Sequence, residues 1–499
     1  VRKTLSFLLF LLLLTSTVAT AQVPARAKNA SAAQAAGYEI PFVTKTLANG
    51  LEVIVYPDHS VPLVTVELAV RNGSFTEPPE FNGLSHLYEH MFFKPNKAIA
   101  IYRCDLSRKV GNEAYFSAQN CDETLKMKAQ VGDVAYLSDL DRTGIVRNGT
   151  TQEEYVNYYY TATSKHLETL MHALRDSMLY PVFDENEFQQ EIQVVLGELD
   201  RQESQPGYHL QTTMMDKLFY KYPSRKRPGG TRETVATATT DKMRTIQARY
   251  YLPNNSALVV TGDVKPEEVF TLAEKLFAVW KKGDDPFVKY PLVEHPPLPK
   301  SEAAFVTQDV DNVFIQIGWQ GPSIGKDNAS TYAADVFSGI VGQPDSKFQR
   351  ALIDTGLAVS VDVNYYTQRN VGPIRITLVT TPAKAKQAVA AVYKEIAKFS
   401  DPTYYSDAEL ANAKTALESR DLFSREKVSD YTHTLSFWWS STGMDYYRDY
   451  YKHLRAASRA DVDRYIKTYI AGKPHVGVAM LSDAGRLESK LTDQDLIGK

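Results

Sequence analysis

The sequence has little net charge, little cysteine and, past its first residues, no long apolar run. Its 56 Lys and Arg nearly cancel 59 Asp and Glu, leaving a net charge of −3. That balance gives no basis for binding nucleic acid or an anionic membrane. Only two cysteines, Cys104 and Cys121, occur in 499 residues, and two thiols alone do not make a zinc site. No segment beyond the N-terminus is long and apolar enough to cross a bilayer. What is present is the composition of a folded chain, 43% hydrophobic and 23% charged. Its length exceeds one ordinary core, so more than one domain is expected.

The N-terminus reads as a secretory signal. Arg2 and Lys3 precede the apolar run Leu5 to Leu14, and Ala19-Thr20-Ala21 has the small-x-small form of a cleavage site. Residues 1–21 are therefore expected to be removed, leaving an exported chain, periplasmic or secreted. The alternative is a retained membrane anchor. Residues 22–39 are Ala-rich and patternless, as in a flexible leader. Export permits a disulfide between Cys104 and Cys121. Two free thiols are the alternative.

Alternating β-branched residues predict strands at 51–56 and 63–70. Helices are expected from Gly83 and over 164–179, 184–203 and 240–251, with strands at 155–161 and 257–261. Residues 99–144 are polar, hold both cysteines and read as an inserted excursion. The stretch 282–302 is a linker dense in proline, including Pro286, Pro291, Pro296, Pro297 and Pro299. Beyond it lie strands at 304–307 and 313–318 and helical patterns at 384–400 and 407–444. The order helix, break, apolar strand, acidic turn occurs at Arg249 to Asp263 and again at Arg464 to Asp483. Duplication of one α+β unit explains this most simply; chance similarity of two α+β domains is the alternative. The domains are then 40–281 and 303–490.

The chemistry concentrates in His86-Leu87-Tyr88-Glu89-His90. On a helix, residues four apart share a face, so His86 and His90 can reach one ion while Glu89 borders them. Zinc takes His nitrogen and carboxylate oxygen and, in catalytic sites, keeps one position open. It lowers the pKa of water to about 7, and a neighbouring carboxylate can move the proton. H-x-x-E-H is the inverse of H-E-x-x-H and marks a class of zinc peptidases. Five residues on a surface helix could also be ordinary. Glu198 is the candidate third ligand, with Glu191 two turns earlier on the same helix face.

Further blocks accompany the motif. Asn49-Gly50-Leu51, Gly73, Glu77, Gly83 to Phe93, Asn148-Gly149-Thr150-Thr151, Glu191 to Glu198, and Tyr250 to Asn254 with Gly262-Asp263 follow in order. Together they make the chain resemble the pitrilysin family of inverted-motif zinc peptidases over about residues 40–490. The resemblance implies an α+β fold of two tandem homologous domains. Each would be a mostly antiparallel sheet covered by helices, and the pair would form half of a clam-like chamber. It implies Zn2+ held by His86, His90 and Glu198, with Glu89 as general base and Glu191 as the supporting carboxylate of the catalytic set. Asn148 and Gly149 would lie on an edge strand that holds the substrate main chain, a mode open to any extended peptide. The implied activity is that of a metalloendopeptidase acting on short or unfolded peptides.

Two departures stand out. First, 107 residues lie between His90 and Glu198, more than is usual in the family. The excess falls in the 99–144 insert, which either borders the substrate entrance or is a surface ornament. Second, the family's second domain carries an Arg and, seven residues later, a Tyr that bind the substrate carbonyl. Leu352 and Val359 stand there, and neither can donate a hydrogen bond; Arg350 is out of register. A heterodimer with a homologous subunit supplying the Arg/Tyr pair is the implied arrangement, with a homodimer as fallback. The rival reading is a non-catalytic peptide-binding or structural subunit of the same fold.

Overall fold

A computed structural model of the chain describes residues 40–131 and 144–499. The proposed signal and leader, and part of the insert, lie outside the described residues. Eleven described strands form two sheets. The first comprises β1 (Val43–Thr46), β2 (Glu52–Pro57), β3 (Leu63–Val70), β4 (Val146–Thr151), β5 (Val156–Thr163) and β6 (Ser256–Gly262), ordered β1-β2-β6-β3-β5-β4. The second comprises β7 (Glu302–Thr307), β8 (Val313–Gln320), β9 (Ser360–Tyr365), β10 (Pro373–Thr380) and β11 (Val476–Leu481), ordered β7-β11-β8-β10-β9.

The two orders are one topology. In each half the last strand inserts between the first two of the shared pattern, parallel to the first, while the remaining pairs are antiparallel. The first half adds β1 at its edge, antiparallel to β2. The fold is thus a tandem α+β pair with mostly antiparallel sheets.

Strands β2, β6 and β11 are buried on both faces and read as mostly apolar runs, whereas β9 and β10 alternate between buried and more exposed positions. In the first sheet Val53, Val55, Leu258 and Val260 pack toward the helices of their own half. Ile54, Tyr56, Ala257 and Val259 share a core with the second half, including Tyr431 and Leu435 of helix Val428–Ser441. The second half is covered reciprocally: Val476, Val478 and Met480 of β11 pack on Leu210, Met214 and Leu218 of helix Pro206–Leu218 from the first half. Each half lends a helix to the other's sheet. At roughly 1.5–3 kcal/mol per buried large aliphatic side chain, this exchange makes residues 40–499 one compact unit.

Most anticipated elements occur within a few residues of their expected bounds. The polar stretch 99–144 shows no regular periodicity, yet its described part folds as four short helices, Lys97–Lys109, Glu113–Ala118, Cys121–Lys126 and Lys128–Val131. Asn96 and Asn112 cap two of them, and Cys104 is disulfide-bonded to Cys121. Ala98, Ile101 and Val131 form a separate small cluster, too few apolar positions to write a helical stripe. The linker region contains a single helical turn, Pro286–Lys289, and the second sheet begins at Glu302. Structure also continues past 490: Leu491 and Leu496 are buried, and Tyr393 Oη donates to the Leu496 carbonyl. Among the described residues no helix is long and apolar enough to cross a membrane.

Candidate metal centre

The helix Leu84–Phe92 carries the motif. Leu84, Leu87, Tyr88, Met91 and Phe92 are buried against the first sheet, which turns His86, Glu89 and His90 outward, each half-buried. Its start is fixed by residues the sequence reading did not assign. Gly83 caps the helix at φ 91°, in the left-handed region that suits glycine; a Cβ there would lie 2.8 Å from Gly230 Cα. The buried Glu77 carboxylate accepts from Gly83 N at 2.8 Å and Ser85 N at 2.6 Å, filling donors left free at a helix start. Burial raises the Glu77 pKa, and these hydrogen bonds oppose it. No periodicity marks Glu77. Its place six residues before the capping glycine was the available signal.

The second helix, Glu185–Glu203, is capped by Asp184, whose carboxylate accepts from Asn186 N and Glu187 N. It brings Glu198 Oε2 to 3.6 Å from Nε2 of both His86 and His90. Among the described residues, these three form the group whose donor atoms can share one metal ion, all within 4.8 Å of one another. Burial, then the neighbouring His90, lowers His86 to about 4, so it is a neutral imidazole with a free lone pair at pH 7.

Glu191 has a different task. Its Oε2 lies 3.1 Å from His90 Nδ1, and its Oε1 pairs with Lys94 Nζ. A proton on Nδ1 donates to Glu191 and leaves Nε2 to face Glu198, the usual outer-shell orientation of a metal-binding His. Glu191 thus contacts His90 Nδ1 and Lys94 and stands apart from the three-residue cluster, and Lys94 is a partner that the sequence reading missed.

Glu89 borders the cluster. Burial first raises its pKa, and the nearby Glu198 charge adds to this. A hydrogen bond from Thr151 and the charge of His90 oppose the rise. Thr151 and Gly149 both lie on β4, the edge strand of the first sheet, where Gly149 opposes Tyr158 and Asn148 opposes Tyr159. Residues two apart on a strand share a face. Gly149 and Thr151 accordingly both meet Glu89: a Cβ on Gly149 would lie 2.6 Å from Glu89 Cγ. That alternation was the signal from which Thr151 could have been read. Asn148 is exposed, its Oδ1 accepting from Gly149 N.

In the second half, Leu352 is fully buried in the core and Val359 is exposed just before β9. Arg350 starts a π-helical turn, 350–354, and is exposed. The structure puts neither a guanidinium at 352 nor a hydroxyl at 359.

A family model described as Insulinase (Peptidase family M16) matches residues 52–100 and 126–227. A second, described as Peptidase M16 inactive domain, matches residues 237–417. The stretch skipped by the first carries both bonded cysteines. An uncharacterized zinc protease of Rickettsia felis is 24% identical over 392 residues, covering 78% of this chain and 85% of its own. An uncharacterized zinc protease of Bacillus subtilis is 25% identical over 388 residues, covering 77% and 84%. The crystal structure of a protease from Helicobacter pylori shares the fold with a TM-score of 0.73 at 20% identity, covering 89% of this chain and 100% of that one.

Proposed function

The chain belongs to peptidase family M16, and from that premise we propose that it is a zinc metalloendopeptidase, the metal-bearing subunit of a two-chain enzyme. The observation that carries this reading is the convergence of His86, His90 and Glu198 with Glu89 at their border. Two imidazoles and one carboxylate are a donor set that suits zinc and leaves a position for water. Zinc held there supplies Lewis acidity to water and to the scissile carbonyl.

The chain's own residues do the rest. Glu89 takes a proton from the attacking water and returns it to the leaving amine. Its burial raises its proton affinity, which suits a group that must hold a proton between two steps. Glu191 and Lys94 keep His90 turned. The outer edge of β4 offers backbone hydrogen bonds to an extended peptide, and Gly149 leaves the strand close to Glu89. Substrates that can extend along this edge are short or unfolded peptides, held in a chamber closed by a second subunit.

Leu352 and Val359 favour the two-chain arrangement, since neither can stabilise an oxyanion. A homologous partner would bring the Arg and Tyr. The secretory pattern of residues 1–21 supports export to the periplasm or beyond. The test is Glu89→Gln: zinc content should stay near that of the parent while peptide cleavage is lost. Retained cleavage removes Glu89 from the role of base.

A further inference from the structure

A cavity of about 450 Å³ lies where the two halves meet, lined by residues of both and by the linker, and by none of the candidate metal ligands. Two arginines face it, Arg71 from the end of β3 and Arg369 from the loop between β9 and β10. Among the described residues neither guanidinium makes an ion pair with a carboxylate. Arg71 donates from Nη2 to the Trp439 carbonyl at 3.0 Å and stacks over the Trp439 ring. Its Nε is shut off from solvent and has no hydrogen-bond partner. A ligand is shut off from that nitrogen as solvent is, so the cavity meets Arg71 through its other atoms.

The two charges feel each other. Burial lowers Arg71 to about 10, and Arg369 is the next cause; Glu52 and Asp285 offset this in part. A fold that draws two cations toward one cavity without a paired carboxylate leaves room for an anion.

The loop that presents Arg369 is held from the first half. Both oxygens of Glu154 accept from it, from Arg369 N at 2.7 Å and from Asn370 N at 2.9 Å. Lys226 Nζ donates to the carbonyls of Asn370 and Val371, each at 3.1 Å. Glu154 Oε1 also accepts from Asn370 Nδ2 at 3.3 Å, so Glu154 is committed to this loop's main chain and Asn370, and the Arg369 main chain is fixed while its guanidinium makes no ion pair among the described residues. Its guanidinium sits 5.7 Å from the Phe287 ring centroid. Lys326, the third cation, is already paired with Glu294. Phe75, Phe287 and Ile324 supply apolar walls.

We infer that this cavity is a binding site for a monocarboxylate with an apolar body, such as the C-terminal residue of a peptide, held by Arg71 and Arg369. Guanidinium matches carboxylate in planar, two-point fashion. The volume is that of a small-ligand site. Glu154 and Glu294 at its wall disfavour a more highly charged anion. The inference does not depend on the metal site, because binding needs neither zinc nor turnover.

The experiment is calorimetric titration of the whole protein with N-acetylphenylalanine and with its amide, for the parent and for Arg369→Gln. Arg369 is exposed, so the variant should keep the parental melting temperature. The expected result is one-to-one binding of the acid, at least tenfold weaker for the amide and at least tenfold weaker in Arg369→Gln. An Ala-Ala-Phe arm separates sources: tighter binding than the acetylated acid assigns a peptide end, and equal binding assigns a free carboxylate. Equal affinity for acid and amide, unchanged affinity in Arg369→Gln, or no binding of the acid at millimolar concentration would overturn the inference.

Discussion

Thr151 Oγ1, on the edge strand, donates a 2.7 Å hydrogen bond to Glu89 Oε2 on the motif helix. This contact ties the proposed peptide-binding strand to the proposed base. A hydrogen bond to a charged group contributes about 1.5–3 kcal/mol. Thr151→Val should therefore lower kcat by about tenfold to a hundredfold while leaving zinc content unchanged. Steady-state kinetics with metal analysis checks this. Full kcat in the variant would remove Thr151 from any positioning role.

Gly149 is a steric requirement. A Cβ there would meet Glu89 Cγ at 2.6 Å and the Asn157 carbonyl at 3.0 Å. Gly149→Ala should displace Glu89 or β4 and cut kcat/KM by at least about tenfold, since misplacement of about 1 Å is enough for a large loss. The thermal transition should move little, because β4 is an edge strand. Parental kcat/KM in this variant would contradict the close approach of strand and base.

The motif was legible because a helix writes its chemistry locally: His86, Glu89 and His90 fall on one face by spacing alone, and Glu191 and Glu198 fall two turns apart on one later helix, Glu185–Glu203. Glu77, Lys94 and Thr151 were not, because each acts through a partner brought near by folding. The helix Pro206–Leu218 and the strands β9 and β10 also went unread. That helix buries its apolar residues against β11 of the other half, so its pattern has meaning only in the assembled pair. The second sheet was legible mainly by analogy with the first.

His433 joins the halves in a pH-dependent way. It sits on helix Val428–Ser441, and its Nδ1 lies 2.5 Å from Oε2 of the buried Glu67 on β3. Burial works against its charged form, but the hydrogen bond and charge of Glu67 prevail and raise its pKa. A raised folded value stabilises fully below the unfolded pKa of about 6.5 and is lost as pH rises through the folded value. His433→Gln should thus lower the melting temperature more at pH 6 than at pH 9. An equal loss at both would show that the pair does not titrate with folding.

The two-chain proposal has its own test. Removing one oxyanion donor from an active site costs about 10²–10³ in rate. With Leu352 and Val359 in place of donors, the isolated chain should cleave a flexible peptide about 10²–10³-fold more slowly than the same chain mixed with a homologous subunit that carries the Arg and Tyr. Full turnover by the isolated chain would end the proposal.

The proposed function rests on His86, His90 and Glu198 holding one zinc ion. Anomalous diffraction at the zinc edge, from crystals of the zinc-loaded chain, tests it most directly. The expected result is a single strong peak between the two Nε2 atoms and the Glu198 carboxylate, absent in Glu198→Ala. A zinc-saturated crystal with no peak there, or with its main peak elsewhere, would rule out this zinc site.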